Sequence, residues 1–263
     1  MTDITVRRPI IWNSALDTNV GKVREVNEDS ILGLPNVQFW AVADGMGGYE
    51  AGNVASQMVV SCLQDLSLHE SLNDRVLDIE NRLMDVNHRI LEYSDIMLEG
   101  RTLGSTVVSF FIQGRVGVCL WAGDSRLYRF RNRQLHQLSQ DHSQVQEQIQ
   151  QGILSADEAI NHPEANVITR AVGAQDDLCL DINVFSTQLG DIFLLCSDGL
   201  YNMLSDQEIT ETLLSGTLQE SVDSLIQQSL EKGADDNISV ILVKGEQEMI
   251  NHRHQSAANS ANS

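Results

Sequence analysis

The sequence lacks most of the features that mark secreted, membrane-spanning or zinc-binding proteins. Its 263 residues include 3 prolines and 4 cysteines, and no apolar run approaches the roughly 18 residues that a bilayer-spanning helix needs. The cysteines stand singly in apolar stretches without a C-x-x-C pair, so we expect buried, reduced thiols. The N-terminal stretch MTDITVRRPIIWNS has no apolar segment of signal-peptide length. The sequence therefore predicts a cytoplasmic protein without a membrane partner.

Positive charge is also scarce. The chain has 17 lysines and arginines against 37 aspartates and glutamates, which gives a formal net charge of −20. This balance argues against nucleic acid as a partner, because a phosphate backbone requires clusters of basic side chains. It argues equally against an anionic membrane surface. The surplus carboxylates either keep the protein soluble or bind cations, and their positions along the chain decide between these interpretations.

The chain is predicted to form one domain that contains both helices and strands. No linker interrupts positions 10–245, so we predict a single domain over residues 1–247 and a disordered polar tail over residues 248–263. Apolar residues recur at spacings of three and four in two predicted helices, from Val54 to Leu66 and from Leu72 to Ile90. Capping-box pairs mark three further helix starts: Ser155 with Glu158, Ser205 with Glu208, and Thr217 with Glu220.

Short apolar segments predict the strands. They span residues 37–43, 105–112, 116–122, 127–130, 192–196 and 238–243. Gln113-Gly114 and Asn132-Arg133 are typical of hairpin turns, which join antiparallel strands. Because the helices also come in blocks, the pattern favours the α+β class over a doubly wound parallel sheet.

Acidic residues lie at the ends of four predicted strands. Three follow a strand and one precedes it: Asp44, Asp124, Asp198 and Asp236. A further acidic pair, Glu28-Asp29, precedes the first of these strands. A single Asp-Gly at a strand end is common turn chemistry. Several carboxylates that converge on one edge repel one another, however, unless cations neutralise them. Oxygen donors without neighbouring Cys or His favour Mg²⁺ or Mn²⁺.

Such a carboxylate cluster suits the hydrolysis of phosphate esters. Two divalent ions can hold a bridging water, lower its pKa and present hydroxide for in-line attack on phosphorus. Arg24 lies four and five residues before Glu28-Asp29, and its guanidinium could bind the phosphoryl oxygens bidentately. Cysteine-phosphatase chemistry is excluded because six residues, not five, separate Cys119 from Arg126. A G-x-G-x-x-G nucleotide loop fails at Glu50.

These residues form blocks that resemble the metal-dependent protein phosphatases (the PPM or type 2C family), specifically the compact bacterial members. The resemblance extends from about Ser14 to Lys244, in eight blocks that keep the family's order: GKVREVNEDS (21–30), WAVADGMGGYEAG (40–52), TLGSTVV (102–108), WAGDSRLYRF (121–130), LSQDHSQVQEQIQQG (138–152), HPEANVITRAVG (162–173), LLCSDGL (194–200) and ADDNISVILV (234–243). It implies hydrolysis of phosphoserine and phosphothreonine on proteins. It also implies a four-layer α/β/β/α sandwich of two antiparallel sheets flanked by helix pairs.

The resemblance also implies residue roles around two ions and a weaker third. Asp44 would bridge the first two ions and the Gly45 carbonyl would bind one of them. The other ligands would be Asp198 and Asp236 on the first ion, Glu28 on the second, and Asp124, with help from Asp198, on the third. Asp29 would orient metal-bound water and Arg24 would hold the phosphate. Residues 141–170 would form a flap beside the cleft.

The chain departs from the family at the histidines that serve as candidate proton donors. Bacterial relatives usually read DGMGGH, where this chain has Tyr49, and animal members carry a histidine where it has Met46. The general acid is therefore open, and we expect an altered rate or preference. His142 and His162 lie in the predicted flap, where a turn-stabilising role and a catalytic role both remain possible. Arg126 is expected to pair with nearby acids.

Two other functions remain as alternatives to the kinase-opposing phosphatase. The first is a catalytically weak regulatory binding module of the same fold, which commonly lacks one or more ligand acids. The second is a phosphatase for a phosphoprotein of the anti-anti-sigma kind, which usually carries sensor domains. Since the acids are all present, we expect an enzyme that reverses eukaryotic-like Ser/Thr kinases in a bacterium. No apolar seam is evident, which favours a monomer.

Overall fold

The computed structural model describes residues 9–47, 51–155, 158, 162–164 and 167–247. Its strands are β1 (Ile10–Asn19), β2 (Asp29–Leu34), β3 (Phe39–Met46), β4 (Gly104–Ser105), β5 (Val107–Gln113), β6 (Val116–Ala122), β7 (Arg126–Arg131), β8 (Gln134–Gln137), β9 (Asp181–Ser186), β10 (Ile192–Cys196) and β11 (Ile238–Gln247). Its helices are α1 (Ala51–Leu63), α2 (Leu72–Met97), α3 (Gln144–Gln150), α4 (Asp198–Tyr201), α5 (Asp206–Leu213) and α6 (Leu218–Glu231). Tyr49 and the predicted tail at 248–263 lie outside the described residues.

The strands form two antiparallel sheets. One has the order β1-β11-β10-β7-β8 and the other β2-β3-β5-β6-β9, with β4 beside the end of β3. The β7–β8 turn lies at Asn132-Arg133 as predicted, where φ is 53° and 62°, the positive values that a type I′ turn requires. The β5–β6 turn lies at Gly114-Arg115, one residue later than predicted, because Gln113 still pairs with Val116.

Side chains that alternate between the faces of the strands build three apolar layers. The layer between the sheets contains large aromatic and aliphatic residues, including Trp12, Trp40, Phe110, Trp121, Phe193 and Ile241. The outer face of the six-stranded sheet packs against α1 and α2. The outer face of the five-stranded sheet packs against α4, α5 and α6. The predicted α+β sandwich of two sheets flanked by helices is confirmed.

The helix ends follow the predicted capping signals. Reciprocal capping-box bonds are present at the three predicted pairs: Ser155 with Glu158, Ser205 with Glu208, and Thr217 with Glu220. Helix α6 ends at Glu231, and Gly233 follows with φ of 117°, as a helix C-terminus favours. The apolar stripe of α2 faces the sheet, with Ile79, Leu83 and Ile90 fully buried.

Two expectations need correction. Strands β1, β2, β8 and β9 are absent from the predicted set, because each buries only part of its side chains and has no continuous apolar run. All four thiols are free, but Cys179 is exposed and Cys62 only partly buried, so the expectation of burial is wrong for Cys179. Among the described residues, none of the helices combines the length and apolarity that crossing a membrane requires.

Candidate metal and phosphate site

The acidic strand ends meet at one cavity of about 340 Å³ at an edge of the sandwich. Its lining contains the predicted arginine, the predicted carboxylates except Asp29, and several neutral residues: Arg24, Glu28, Asp44, Gly45, Met46, Gly47, Thr106, Asp124, Ile168, Asp198, Asp236 and Asn237. These residues come from segments that are up to about 200 positions apart in the chain. The fold therefore brings together residues that the sequence could only place at separate strand ends.

Asp44 is fixed near the end of β3 by hydrogen bonds of its backbone. The Asp44 N–H donates to Thr106 Oγ1 at 3.0 Å, and its carbonyl accepts from the Thr106 N–H at 2.8 Å and from Ser105 Oγ at 3.1 Å. Asp44 also lies directly across the β2–β3 pair from Asp29. These bonds hold the Asp44 backbone at the end of β3, where the residue lines the cavity.

Glu28 lies against the start of helix α1. Its Oε1 accepts from the Gly52 N–H at 3.0 Å, where the helix dipole also favours a negative charge. The Glu28 carbonyl accepts from the Gly45 N–H at 3.2 Å. A Cβ on Gly52 would lie 2.7 Å from Glu28 Oε1 and 2.7 Å from the Gly45 carbonyl oxygen. Glycine at position 52 is therefore required for the close approach of Glu28.

Arg24 and Asp236 form an ion pair at the mouth of the cavity. Arg24 Nη2 lies 2.8 Å from Asp236 Oδ2, with side-chain exposures of 52% and 36%. The hydrogen bond to Asp236 raises the pKa of the Arg24 guanidinium above its usual value. An exposed pair of this kind contributes about 1 kcal/mol or less to stability. The pair therefore serves to hold the guanidinium beside the carboxylates more than to stabilise the fold.

Asp29 is buried behind this wall and lies in a hydroxyl network. Its Oδ2 accepts from Ser197 Oγ at 2.6 Å and from Ser239 Oγ at 2.7 Å. Its Oδ1 is buried and has no hydrogen-bond partner among the residues that the structure describes. Burial raises the pKa of Asp29 to about 6, although both serine hydroxyls act to lower it. An unpaired buried carboxylate oxygen beside a polar cavity is a feature of a functional site more than of a stable core.

The backbone of Asp124 is held by Tyr201, which in turn lies against Arg126. Its carbonyl accepts from Tyr201 Oη at 3.1 Å, and the Arg126 guanidinium lies 3.5 Å from the centre of the Tyr201 ring. Arg126 also binds Asp141 bidentately, with Nη2 to Oδ2 at 2.6 Å and Nε to Oδ1 at 3.0 Å. The expectation that Arg126 pairs with a nearby acid is confirmed. Burial raises the pKa of Asp124 to about 6.

The two flap histidines make structural contacts outside the cavity. His142 Nδ1 accepts from the Gly123 N–H at 3.1 Å, and its own backbone N–H donates to the Gly123 carbonyl at 3.0 Å. His162 Nδ1 accepts from the Glu164 N–H at 3.2 Å. His162 therefore stabilises a local turn, whereas His142 joins the flap to Gly123 between β6 and β7; neither belongs to the cavity lining.

Sequence reasoning gave no site role to several residues that the structure places at the cavity. Thr106 and Asn237 line it, and Ser197 and Ser239 bind Asp29 from outside it. Thr106 and Asn237 stand within blocks that carry the family resemblance, which was a signal for them. Ser197 and Ser239 also stand within such blocks, at 194–200 and 234–243, but a hydroxyl beside a strand is common and by itself indicates no site role.

The donor set of the cavity suits a hard divalent cation. Its ionisable lining residues are carboxylates and one arginine, without Cys or His, and oxygen donors are the ligands that Mg²⁺ and Mn²⁺ prefer. Burial raises the pKa of Asp44 and of Asp198 well above the usual range, and repulsion from neighbouring aspartates raises both further. In the described part of the chain no three His, Cys, Asp or Glu side chains form a closed chelate. An ion would therefore also use backbone or water oxygens.

The buried carboxylates of the site are expected to make the stability of the folded protein depend on pH. Folding raises the pKa of Asp29 and of Asp124 from 3.8 to about 6. Between pH 3.8 and about pH 6, the folded protein thus binds more protons than the unfolded chain. The free energy of unfolding therefore decreases as the pH rises from about 4 through about 6. His142, whose pKa burial lowers, acts in the opposite direction. In EDTA we expect a higher melting temperature at pH 5 than at pH 7.5, and the reverse order would contradict the cluster's electrostatics.

Comparison with known proteins shows the family. Residues 22–242 match the family described as Protein phosphatase 2C. The chain is 37% identical over 214 residues to the serine/threonine phosphatase stp of Listeria monocytogenes serotype 4b (strain F2365), a match that covers 78% of this chain and 85% of that protein.

Solved structures agree with this match. PppA, described as a key regulatory component of T6SS in Pseudomonas aeruginosa, is similar with a TM-score of 0.83 and 40% identity, covering 91% of this chain and 100% of that one. The catalytic domain of the serine threonine protein phosphatase PstP, in complex with 2 manganese ions, has a TM-score of 0.79 and 29% identity over 90% of this chain and 100% of its own. The match over residues 22–242 and the resemblance of the motifs agree, and the chain belongs to the protein phosphatase 2C family.

Proposed function

We propose that this protein hydrolyses phosphoserine and phosphothreonine on proteins in a reaction that depends on divalent cations. The observation that carries the proposal is the cavity in which five carboxylates and one arginine converge: Arg24, Glu28, Asp44, Asp124, Asp198 and Asp236. Relatives named serine/threonine phosphatases support the substrate class. The PstP structure with 2 manganese ions supports the cation requirement.

The cations would be held by oxygens of the cavity wall. Asp44 would bridge two ions, Glu28 and the Gly45 carbonyl would complete one side, and Asp198 with Asp236 the other. Asp124 is the proposed ligand of a weaker third ion. Mn²⁺ and Mg²⁺ both suit this donor set. When bound, such ions supply Lewis-acid stabilisation of the phosphoryl oxygens and a nucleophile at neutral pH.

The chain's own residues would bind and orient the substrate. Arg24 is half exposed and uses one N–H in its bond to Asp236, so its remaining N–H groups can donate to a phosphate. Asp29 lies across the strand pair from Asp44 and has one oxygen without a partner in the described part of the chain. This oxygen would accept a hydrogen bond from the attacking water. Neither described flap histidine lines the cavity, so we assign the leaving-group proton to no histidine.

The setting of the reaction is also proposed. The substrates would be phosphoproteins produced by a Ser/Thr kinase, because a phosphatase of this class consumes what such a kinase makes. Four free thiols suit the reducing cytoplasm. We propose that the protein acts as a monomer, since the site is assembled within one chain.

A phosphopeptide assay tests the proposed function. One peptide is prepared with phosphothreonine and, as the matched control, with phosphotyrosine at the same position. We expect the purified protein to release phosphate from the phosphothreonine peptide with Mn²⁺ or Mg²⁺, and excess EDTA or Asp198→Ala to abolish this release. A wild type without activity under both ions would instead support a regulatory binding module. Activity that survives EDTA would exclude the metal mechanism.

A further inference from the structure

We propose that Asn237 is a positioning residue that anchors the loop of residues 20–28, and with it Arg24 and Glu28, to the start of strand β11. The inference rests on the proposed function, because it concerns the placement of Arg24, which would bind the phosphate, and of Glu28, which would bind a cation. It goes beyond that function because Asn237 is neutral. Its side chain binds the backbone of the loop, and not the Arg24 guanidinium or the Glu28 carboxylate.

The Asn237 side chain uses both of its ends on the backbone of this loop. Its Oδ1 accepts from the Glu28 N–H at 2.8 Å. Its Nδ2 donates to the Val20 carbonyl at 2.9 Å and to the Val26 carbonyl at 3.1 Å. One side chain thus spans the loop from its beginning to its end, and the residues that it binds enclose Arg24 between them.

The middle of the loop has few other attachments. Between β1 and β2 it contains no helix or strand, and residues 22–25 are exposed. Its other anchors include the Lys22 N–H, which donates to the Ala234 carbonyl at 2.9 Å, the exposed Arg24–Asp236 ion pair, and Asn27 Nδ2, which donates to Thr18 Oγ1 at 2.9 Å. At the end of the loop, Glu28 also accepts from the Gly45 and Gly52 N–H groups. The ion pair is exposed and therefore weak. Without Asn237, the Val20 and Val26 carbonyls on either side of Arg24 would lose their side-chain donor, and the Glu28 N–H would lose its acceptor.

Asn237 is itself held rigidly among the proposed cation ligands. It is 4% exposed, and its backbone N–H donates to Asp236 Oδ1 at 2.9 Å. Its carbonyl packs so closely on Gly199 that a Cβ at position 199 would collide with it. Gly199 follows Asp198, so Asn237 connects the loop that carries Arg24 to both Asp198 and Asp236.

The effect of removing this side chain follows from its three bonds. Truncation would leave the Glu28 N–H and two loop carbonyls without their partners, which favours displacement of the loop toward water. Residues that orient ligands from behind typically change affinity or activity by about 10- to 100-fold when they are removed. We expect a change of this size in cation affinity through Glu28, and a higher KM through Arg24.

The chain offers a matched control in Asn87. This residue is fully buried, and its Oδ1 accepts from the Gly173 N–H at 2.6 Å. Its Nδ2 donates to the Gln175 carbonyl at 2.8 Å and to the Asp176 carbonyl at 3.2 Å. Asn87 therefore makes the same set of backbone bonds as Asn237, but neither it nor its partners belong to the cavity lining.

The experiment compares Asn237→Ala and Asn87→Ala with the wild type in three measurements. These are KM and kcat on a phosphothreonine peptide, Mn²⁺ binding by calorimetry, and amide hydrogen exchange. We expect both variants to melt at lower temperature. Only Asn237→Ala should raise KM and weaken Mn²⁺ binding by about tenfold or more. Exchange should quicken at Glu28 in Asn237→Ala and at Gly173 in Asn87→Ala.

Asn237→Asp serves if the alanine variant does not fold. It keeps the acceptor for the Glu28 N–H and loses both donors, while its added charge would by itself strengthen cation binding. Weaker Mn²⁺ binding in this variant would therefore support loop anchoring. The inference would be overturned if the Asn237 variants kept the wild-type KM, Mn²⁺ affinity and Glu28 exchange rate. It would also be overturned if Asn87→Ala changed KM and Mn²⁺ affinity as much as Asn237→Ala does. An inactive wild type would contradict the proposed function instead, and the binding and exchange measurements would still test Asn237.

Discussion

Asp44→Asn is expected to lower kcat/KM on a phosphothreonine peptide by about a thousandfold or more, while it raises the melting temperature of the protein in EDTA. The carboxylate lies at the centre of the cluster, where burial and then repulsion from Asp29, Asp198, Asp124 and Asp236 raise its pKa. Asparagine removes that repulsion and keeps the shape of the side chain. It also removes the oxygen that would bridge two cations, and losing several kcal/mol of charge stabilisation accounts for about a thousandfold in rate.

The opposite signs of the two effects make this prediction specific. Most substitutions that destroy activity by damaging the fold also lower stability. Asp85→Asn is a suitable control because Asp85 is exposed on α2 and does not line the cavity. This control should leave both quantities near their wild-type values. Retained activity in Asp44→Asn, or a lower melting temperature in EDTA, would show that Asp44 has another role.

Gly52→Ala is expected to reduce activity by about 100-fold and to destabilise the protein, although alanine is the better helix former. Within an ordinary helix this change would stabilise by up to about 1 kcal/mol. Here the new Cβ would lie 2.7 Å from Glu28 Oε1 and from the Gly45 carbonyl oxygen. The Glu28 carboxylate would have to leave the N–H of residue 52, and misplaced ligands of this kind cost about 10- to 100-fold.

Helix α1 supplies its own comparison for this prediction. Gln57 is exposed on the same helix, so Gln57→Ala changes helix propensity without approaching Glu28. We expect Gln57→Ala to keep wild-type activity and stability within about 0.5 kcal/mol. Circular-dichroism melting and steady-state kinetics on both variants give the two quantities. A Gly52→Ala protein that is more stable and fully active would refute the close-approach argument.

The sequence allowed the fold class and most of the site to be predicted because both depend on local patterns. The apolar segments that precede Asp44, Asp124 and Asp198 are visible in the sequence. Antiparallel hairpins place the ends of such strands at the edges of a sheet. Helices α1, α2, α5 and α6 were predicted for the same reason, since their stripes and capping boxes are local, whereas the short helices α3 and α4 were not predicted. Family resemblance then assigned roles that these patterns alone left open.

Other features depend on contacts between distant parts of the chain, which no local pattern reveals. Ser197 and Ser239 bind Asp29 from positions 168 and 210 residues away. Asn237 anchors a loop more than 200 residues earlier. Strand β9 was not predicted, because its side chains alternate between partly buried and exposed and form no apolar run. It is nevertheless the edge strand of the six-stranded sheet. Such residues are recognised only when the tertiary structure brings their partners together.

The central claim is that the carboxylates of this cavity bind the cations on which activity depends. Equilibrium dialysis of the purified wild type against Mn²⁺, with the bound metal measured per chain, tests it most directly. We predict at least two bound ions for the wild type and their loss in Asp44→Asn. Catalytic activity in a wild type that binds no Mn²⁺ or Mg²⁺, or undiminished binding in Asp44→Asn, would contradict the account.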